Sequence, residues 1–229
     1  SRDWSSDVCS SDLGGGSAGA AFDGKYIWFI VDDTTNNLYK IDADTGTVVD
    51  TFFVGSTSNT GFEGLAYMNG LIYLLDGFIK DDIVVYDPVL RAIVNVLDVD
   101  GINGGFGLDL TGGLAPNPAR NSLYVSSTFS DQIFEISAKS GLVLSKPDGS
   151  YRTWSSGEYW EGGLATLRNE LYVGATAGGN KIRVFDLDGN YKRTIDQPFF
   201  FGLESLGGDG IDGLVRSEEH TSELQSRET

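Results

Sequence analysis

Carboxylates are the side chains of this chain that could do chemistry, because the usual nucleophiles and bases are almost missing. The 229 residues hold 33 Asp and Glu against 16 Lys and Arg, with one Cys and one His. Cys9 and His220 lie near the two extremes of the chain. No Ser-His-Asp triad, Cys-His pair or zinc site of the usual kinds can therefore be assembled from the residues between them. Three acids recur in one local context: Glu63, Glu161 and Asp212 each stand two or three residues before the Leu of a Gly-Leu motif, and Asp109 stands five before Leu114. A ring of carboxylates about a common axis suits Ca²⁺ or another hard divalent cation, or a cationic ligand. Asp76 and Asp131 fall in polar loops and join them as candidate ligand-binding residues. Asp98-Val99-Asp100-Gly101-Ile102-Asn103 spaces its oxygens as a calcium loop does, which makes Asp98, Asp100 and Asn103 candidate metal ligands, although no distal Glu completes an EF-hand. Trp160, beside Trp154 and Tyr159, is an aromatic that could stack on a sugar or peptide. The hydrophobic payload of Trp favours the alternative, burial as a plug.

The elements that must position these residues recur about every fifty residues. A segment around Gly-Leu-Ala leads to an aliphatic-aromatic pair, a polar loop, an alternating apolar run, a tight turn and a last strand. The aromatics Trp28, Tyr73, Tyr124 and Tyr172 are spaced 45, 51 and 48 apart, and Ile41, Tyr86, Ile136 and Phe185 are spaced 45, 50 and 49 apart. A four-strand unit at this period is the signature of a β-propeller blade. The expected fold is thus all-β, a propeller of about four four-stranded antiparallel blades plus the start of a truncated fifth. The blades are expected at about 19–55, 63–99, 112–146 and 162–197, with the next opening at 207–215. Leu142 to Leu144 is read as the last strand of the third.

Loop lengths separate two faces of such a disc. First-to-second and third-to-fourth links are tight turns, such as Asp42-Ala43-Asp44-Thr45-Gly46 and Asp186-Leu187-Asp188-Gly189. Their recurrence at one structural position marks them as plain Asx turns rather than calcium loops. The opposite face takes the long crossings near 55–63, 99–112, 146–162 and 196–212, and every candidate acid above maps to it. Binding residues concentrate on long loops held by a rigid scaffold. The plainer reading of the same residues is a solvated acidic rim.

The two ends are expected to be foreign to the repeat. RSEEHTSELQS (Arg216 to Ser226) and DWSSDVCSSDL (Asp3 to Leu13) read as translations of opposite strands of one DNA-sequencing adapter. Residues 1–13 and 216–229 are therefore expected to be adapter-derived, and 14–215 a propeller fragment cut at both ends. Removing three basic and seven acidic residues leaves 13 against 26, a net charge of −13. Such a surface repels phosphate backbones, so nucleic acid is not an expected partner. No apolar run approaches the ~18 residues of a membrane span.

GGLATLRNELYVGATAGGNKIRVFDLDGNYKRTI (162–195) resembles an NHL repeat, and NNLYKIDADTGTVVDTF (36–52) is similar to the YVTN-type and quinoprotein-like repeats of bacterial surface and periplasmic proteins. The resemblance implies a non-catalytic binding or interaction module of a larger exported protein, periplasmic, cell-surface or extracellular. Its ligand would be a protein, peptide or carbohydrate held at the acidic face. Two enzyme alternatives stay open. GGLAPNPARNSLYVSSTFSDQIFEI (112–136) is similar to the Asn-Gly-Leu segment of gluconolactonase-type propeller hydrolases, with Gly112 or Gly113 where that family's metal-binding Asn stands. The Glu-Gly-Leu and Leu-Tyr phrasing is similar to glutaminyl cyclotransferases. Fold likeness alone does not choose among these.

Overall fold

The computed structural model describes residues 16–32, 36–55, 62, 64–76, 82–99, 113–127, 131–157, 161–175 and 181–196. Sixteen strands follow one another: β1 (Gly16–Phe22), β2 (Tyr26–Asp32), β3 (Asn37–Asp42), β4 (Val48–Phe53), β5 (Gly64–Met68), β6 (Leu71–Asp76), β7 (Asp82–Asp87), β8 (Ala92–Asp98), β9 (Leu114–Asn117), β10 (Ser122–Ser127), β11 (Gln132–Ser137), β12 (Thr153–Ser155), β13 (Glu161–Leu167), β14 (Glu170–Ala175), β15 (Lys181–Asp186) and β16 (Tyr191–Asp196). They form four four-stranded antiparallel meanders in chain order, set in a ring with β1, β5, β9 and β13 innermost. The fold is a four-blade β-propeller, as the repeat predicts for these blades, and the expected opening of a fifth at 207–215 lies outside the described residues. No helix among the described residues is long and apolar enough to cross a membrane.

Sandwiching between neighbours explains the residue pattern of the middle strands. β7 (DIVVYD) is buried on both sides and reads as a near-continuous apolar run rather than as alternation, and β10 (SLYVSS) is buried throughout, its Leu-Tyr-Val centre flanked by buried serines. The outermost strands are mostly exposed: six of the seven residues of β8 face solvent and only Leu97 is buried. Three apolar clusters cement successive blades. Trp28, Ile30, Leu38 and Phe52 of blade one meet Ile72, Leu74, Val84 and Tyr86 of blade two. Tyr73, Leu75, Ile83, Val85 and Leu97 meet Leu123, Val125, Phe134 and Ile136 of blade three. Tyr124 and Ile133 meet Leu171, Val173 and Phe185 of blade four. Each buried aliphatic or aromatic side chain contributes about 1.5–3 kcal/mol.

The inner-strand Gly that opens each repeat has a steric reason in blades one and three. A Cβ on Gly19 would lie 2.7 Å from the Leu65 nitrogen, and one on Gly113 would lie 2.1 Å from the Leu164 nitrogen. Inner strands converge toward the axis, and only a residue without a side chain lets the backbones approach so closely.

Blade three departs from expectation in its outer strand. That strand is Thr153–Ser155, paired with Gln132–Phe134, so the blade runs past 146 to 155. The run Leu142 to Leu144 contributes only an isolated bridge between Val143 and Ile136. The chain there folds back on itself through a tight turn, with the Lys146 amide donating to Ser150 O and the Gly149 amide to Lys146 O. This hairpin interrupts the outer edge of the blade, so that Val143 faces Ile136 before it and Thr153 pairs with Phe134 after it.

Candidate functional site

Inner-strand geometry leaves a cavity shared by all four blades. It measures about 310 Å³ and is lined by Ala21, Phe22, Asp23, Tyr67, Pro116 and Thr166 among others. Asp23 and Asn69 sit in first-to-second strand turns, so this cavity opens on the tight-turn side of the disc. Its one described acid has a structural task. The Asp23 carboxylate accepts from the amides of Lys25 (2.9 Å) and Tyr26 (2.7 Å) and from Trp28 Nε1 (2.8 Å).

The long-loop side begins where the strands of blade two end. The register pairs Asp76 with Asp82 and Asp82 with Asp98, which sets three aspartates abreast on one face of the sheet, at the mouth of the β6–β7 loop. Asp76 is 1% exposed and Asp98 is exposed. Like charges directly opposite one another are destabilising across a sheet, so this row is costly in isolation. Each of the three has an interaction partner. Among the described residues no group of three metal-capable side chains takes a ligating arrangement.

Asp131 plays a local part. Its carboxylate accepts from Ser155 Oγ (3.1 Å) and Ser156 Oγ (3.0 Å), and its carbonyl accepts from the Ser156 amide (3.1 Å), tying the end of β12 to the start of β11. Glu161 opens β13, paired with Ala175, and its side chain lies outside the described residues. Glu63, Asp100, Asn103, Asp109, Trp160 and Asp212 also lie outside them. Trp154, neighbour of Trp160 in sequence, is a plug: it packs edge-on to Tyr124 at 5.8 Å and tilted on Phe185 at 6.5 Å, inside the junction of blades three and four.

Sequence reasoning missed two acids. Glu135, fully buried, lies in that same junction. Its Oε1 accepts from Arg120 Nε (2.7 Å), Asn117 Nδ2 (3.0 Å) and Ser122 Oγ (2.5 Å), while Arg152 Nη1 stands 3.5 Å from Oε2 as an ion pair without a hydrogen bond. Asp188 of blade four closes the network, 3.0 Å from Arg120 and 2.8 Å from Arg152. The Arg152 hydrogen bond, with the charge of Arg120 behind it, holds the Asp188 carboxyl below its usual range against the cost of burial. Burial, reinforced by the Glu135 charge, pushes the Tyr124 hydroxyl up, and that hydroxyl donates to Leu187 O at 2.8 Å. Glu170 is the second. Arg193 grips it with two bonds of 2.8 and 2.9 Å, Lys192 and Tyr172 also donate to it, and these donors hold its pKa well below the carboxylate range. One signal for Glu135 was available: its register is filled by Val85 in blade two and Val184 in blade four.

The turn-side acids behave as Asx turns. Asp42 accepts from the Asp44 and Thr45 amides at 3.1 and 2.9 Å, and Asp186 from the Asp188 and Asn190 amides, both at 2.9 Å. The Thr45 hydroxyl and amide hold the Asp42 carboxyl below its usual value.

No protein-family model and no curated protein matches the chain. Solved structures do. The chain is similar to U3-55K and to the RRP9 WD40 repeats, each at 13% identity and TM-score 0.54, with 80% of this chain and 54% of theirs covered. It is also similar to glutaminyl cyclase of Myxococcus xanthus, at 18% identity and TM-score 0.51, with 78% and 72% covered. These likenesses establish the β-propeller fold. The chain spans about half the length of the two WD40 proteins.

Proposed function

We propose that this chain is a non-catalytic β-propeller binding module of NHL or YVTN type, part of a larger exported bacterial protein, which engages a protein, peptide or carbohydrate through its acidic long-loop face. The observation that carries this reading is the scaffold: blades locked in succession by three apolar junctions around a shared cavity. A frame held together between its sheets leaves the connections free to vary, which is where binding residues concentrate. Similarity to WD40-repeat structures supports an interaction role. The row Asp76, Asp82 and Asp98 supports the choice of face, because a cationic group or divalent ion there would offset a repulsion already built into the register.

Peptide and glycan arrays probed with the full chain, alongside calcium-dependent thermal shift with a chelator control, test this. Binding weakened by Asp76→Asn or Asp98→Asn, with no turnover of lactones or of peptides with N-terminal glutamine, is the expected result. Turnover lost in Glu63→Gln would overturn it in favour of an enzyme.

A further inference from the structure

We propose that the turn-side cavity at the hub is a binding site for a compact, neutral aromatic molecule that carries one hydroxyl or carbonyl group. This site is separate from the acidic long-loop face. It arises where the repeat is broken. At the inner-strand register just after the motif glycine, blades two, three and four carry Leu65, Leu114 and Leu164, paired with Leu74, Val125 and Val173. Blade one carries Ala20 there, paired with Phe29. All four residues line the cavity. Blade one thus lacks the branched alkyl end that its neighbours share, and the hub is wider on its side. The resulting volume of about 310 Å³ falls at the small end of the range for small-molecule sites, roughly 300–1,000 Å³.

The walls decide the chemical class. Further toward the turns, one register brings Phe22, Tyr67 and Pro116 to the lining, each paired with a buried or half-buried aliphatic of the second strand. Flat side chains of this kind suit an aromatic ring, which packs offset or edge-on against them. Asp23 is the one carboxylate among the lining residues, and its oxygens already accept from the amides of Lys25 and Tyr26 and from Trp28 Nε1. A cation would have to compete with those donors. An anion would meet that carboxylate and a chain of net charge −17. A neutral ring meets neither obstacle.

Tyr67 supplies the polar contact. Its hydroxyl makes no hydrogen bond among the described residues, and burial, with the Asp23 charge adding to it, pushes its pKa up. It therefore stays a neutral phenol, able to donate to or accept from one ligand oxygen. The Thr166 hydroxyl, by contrast, already donates to Pro116 O at 2.7 Å. Trp28 stacks on Tyr67 with ring centroids 6.5 Å apart and planes 7° from parallel, and Asp23 anchors Trp28 in turn. The Tyr67 ring is thus held in place before any ligand arrives, which lowers the ordering cost of binding.

Isothermal titration of the full chain with 1-naphthol, together with NMR contacts between probe and alanine methyls, tests the assignment. Saturable one-to-one binding is expected, with probe protons close to the methyls of Ala20, Ala66 and Ala165. Ala20→Leu gives blade one the residue that blades two to four already carry, and it should abolish binding without lowering the thermal midpoint. Tyr67→Phe keeps the ring and removes the hydroxyl, which should weaken binding by roughly 2–10-fold, the worth of one hydrogen bond. 1-Naphthoate and 1-naphthylmethylammonium should both bind more weakly than 1-naphthol. Asp98→Asn, on the other face, should leave naphthol binding unchanged, so that this proposal and the long-loop reading fail separately. No saturable binding up to the solubility limit of the probe would overturn the proposal, and so would a folded Ala20→Leu chain that binds as the parent does. Contacts to methyls elsewhere in the unaltered chain would overturn it even if Ala20→Leu failed to fold. A charged analogue of equal affinity would overturn the neutral class, and unaltered affinity in Tyr67→Phe the part assigned to that hydroxyl.

Discussion

Replacing Glu135 by Val gives blade three the residue that blades two and four carry at the same register, and it should nevertheless destabilise the protein. The carboxylate is completely buried and is the common partner of two arginines whose side chains are 28% and 16% exposed. Removing one member of a buried ion pair costs about 3–5 kcal/mol, chiefly because the remaining charge loses its compensation. Asp188 still faces both arginines and is 61% exposed, so water and Asp188 absorb part of the loss and place the expectation near the lower bound, at about 3 kcal/mol. Ser122 Oγ, buried, loses its acceptor as well. For a chain of this size about 1 kcal/mol moves Tm by roughly 2–4 °C, so the midpoint should fall by about 6–12 °C by the same conversion. Thermal unfolding followed by tryptophan fluorescence reads this directly, since Trp154 sits in the affected junction. A second variant separates charge from packing. Glu135→Val combined with Arg120→Leu and Arg152→Leu removes the whole set, and buried ion networks replaced by apolar groups of similar volume are often neutral or stabilising. Most of the lost stability should return. A single variant within about 1 kcal/mol of the parent, below the range for a broken buried pair, would refute the reasoning, as would a triple variant no better than the single.

Gly113→Ala should cost about 2 kcal/mol by overpacking, because its Cβ would meet the Leu164 backbone at 2.1 Å; an unchanged urea midpoint would show that the inner strands can separate. Asp23→Ala should cost about 1–2 kcal/mol and speed exchange of the Trp28 indole proton, since its carboxylate accepts from that group at 2.8 Å. Glu170 is held well below its ordinary value of 4.5, so it contributes stability above that value and loses it only as pH falls through the depressed pKa. Arg193→Ala should therefore raise the Glu170 titration, read by carboxyl NMR shifts, and move acid unfolding to higher pH.

The repeat was legible because the same physics acts four times. Trp28, Tyr73, Tyr124 and Tyr172 each stand mid-strand beside the inner strand, opposite Ala21, Ala66, Ala115 and Ala165, and that pairing of a large ring with a small neighbour is what the spacing records. Blade three's outer strand was not legible. Leu142 to Leu144 satisfies a strand pattern locally, and the Pro147-Asp148-Gly149 turn signal beyond it reads as the end of the blade, although the chain returns through that turn to resume the outer strand at Thr153. Glu135 escaped because a single acid in an apolar run reads as an outward-facing position, whereas β11 is buried on both sides at its centre. Glu170 escaped for another reason. Its cationic partners lie 22 and 23 residues further on, and only the β14–β15–β16 pairing brings them alongside.

The two sides of the disc therefore use acidity in different ways. On the turn side, Asp23, Asp42, Asp87 and Asp186 each accept at least two backbone amides. A carboxylate so occupied has its lone pairs aimed into its own turn, and a cation approaching it must first disrupt hydrogen bonds that shape the hairpin. Abundant acid on that side is consistent with stable turns and carries little affinity for ligands. At the loop end of blade two, Asp76, Asp82 and Asp98 are brought abreast by strands whose packing dictates their alignment whatever charge they bear, and each has an interaction partner. Repulsion among aligned charges is relieved by anything positive that settles between them. A response to added cation, where it occurs, should thus disappear with the aspartates of blade two and survive the loss of any turn aspartate.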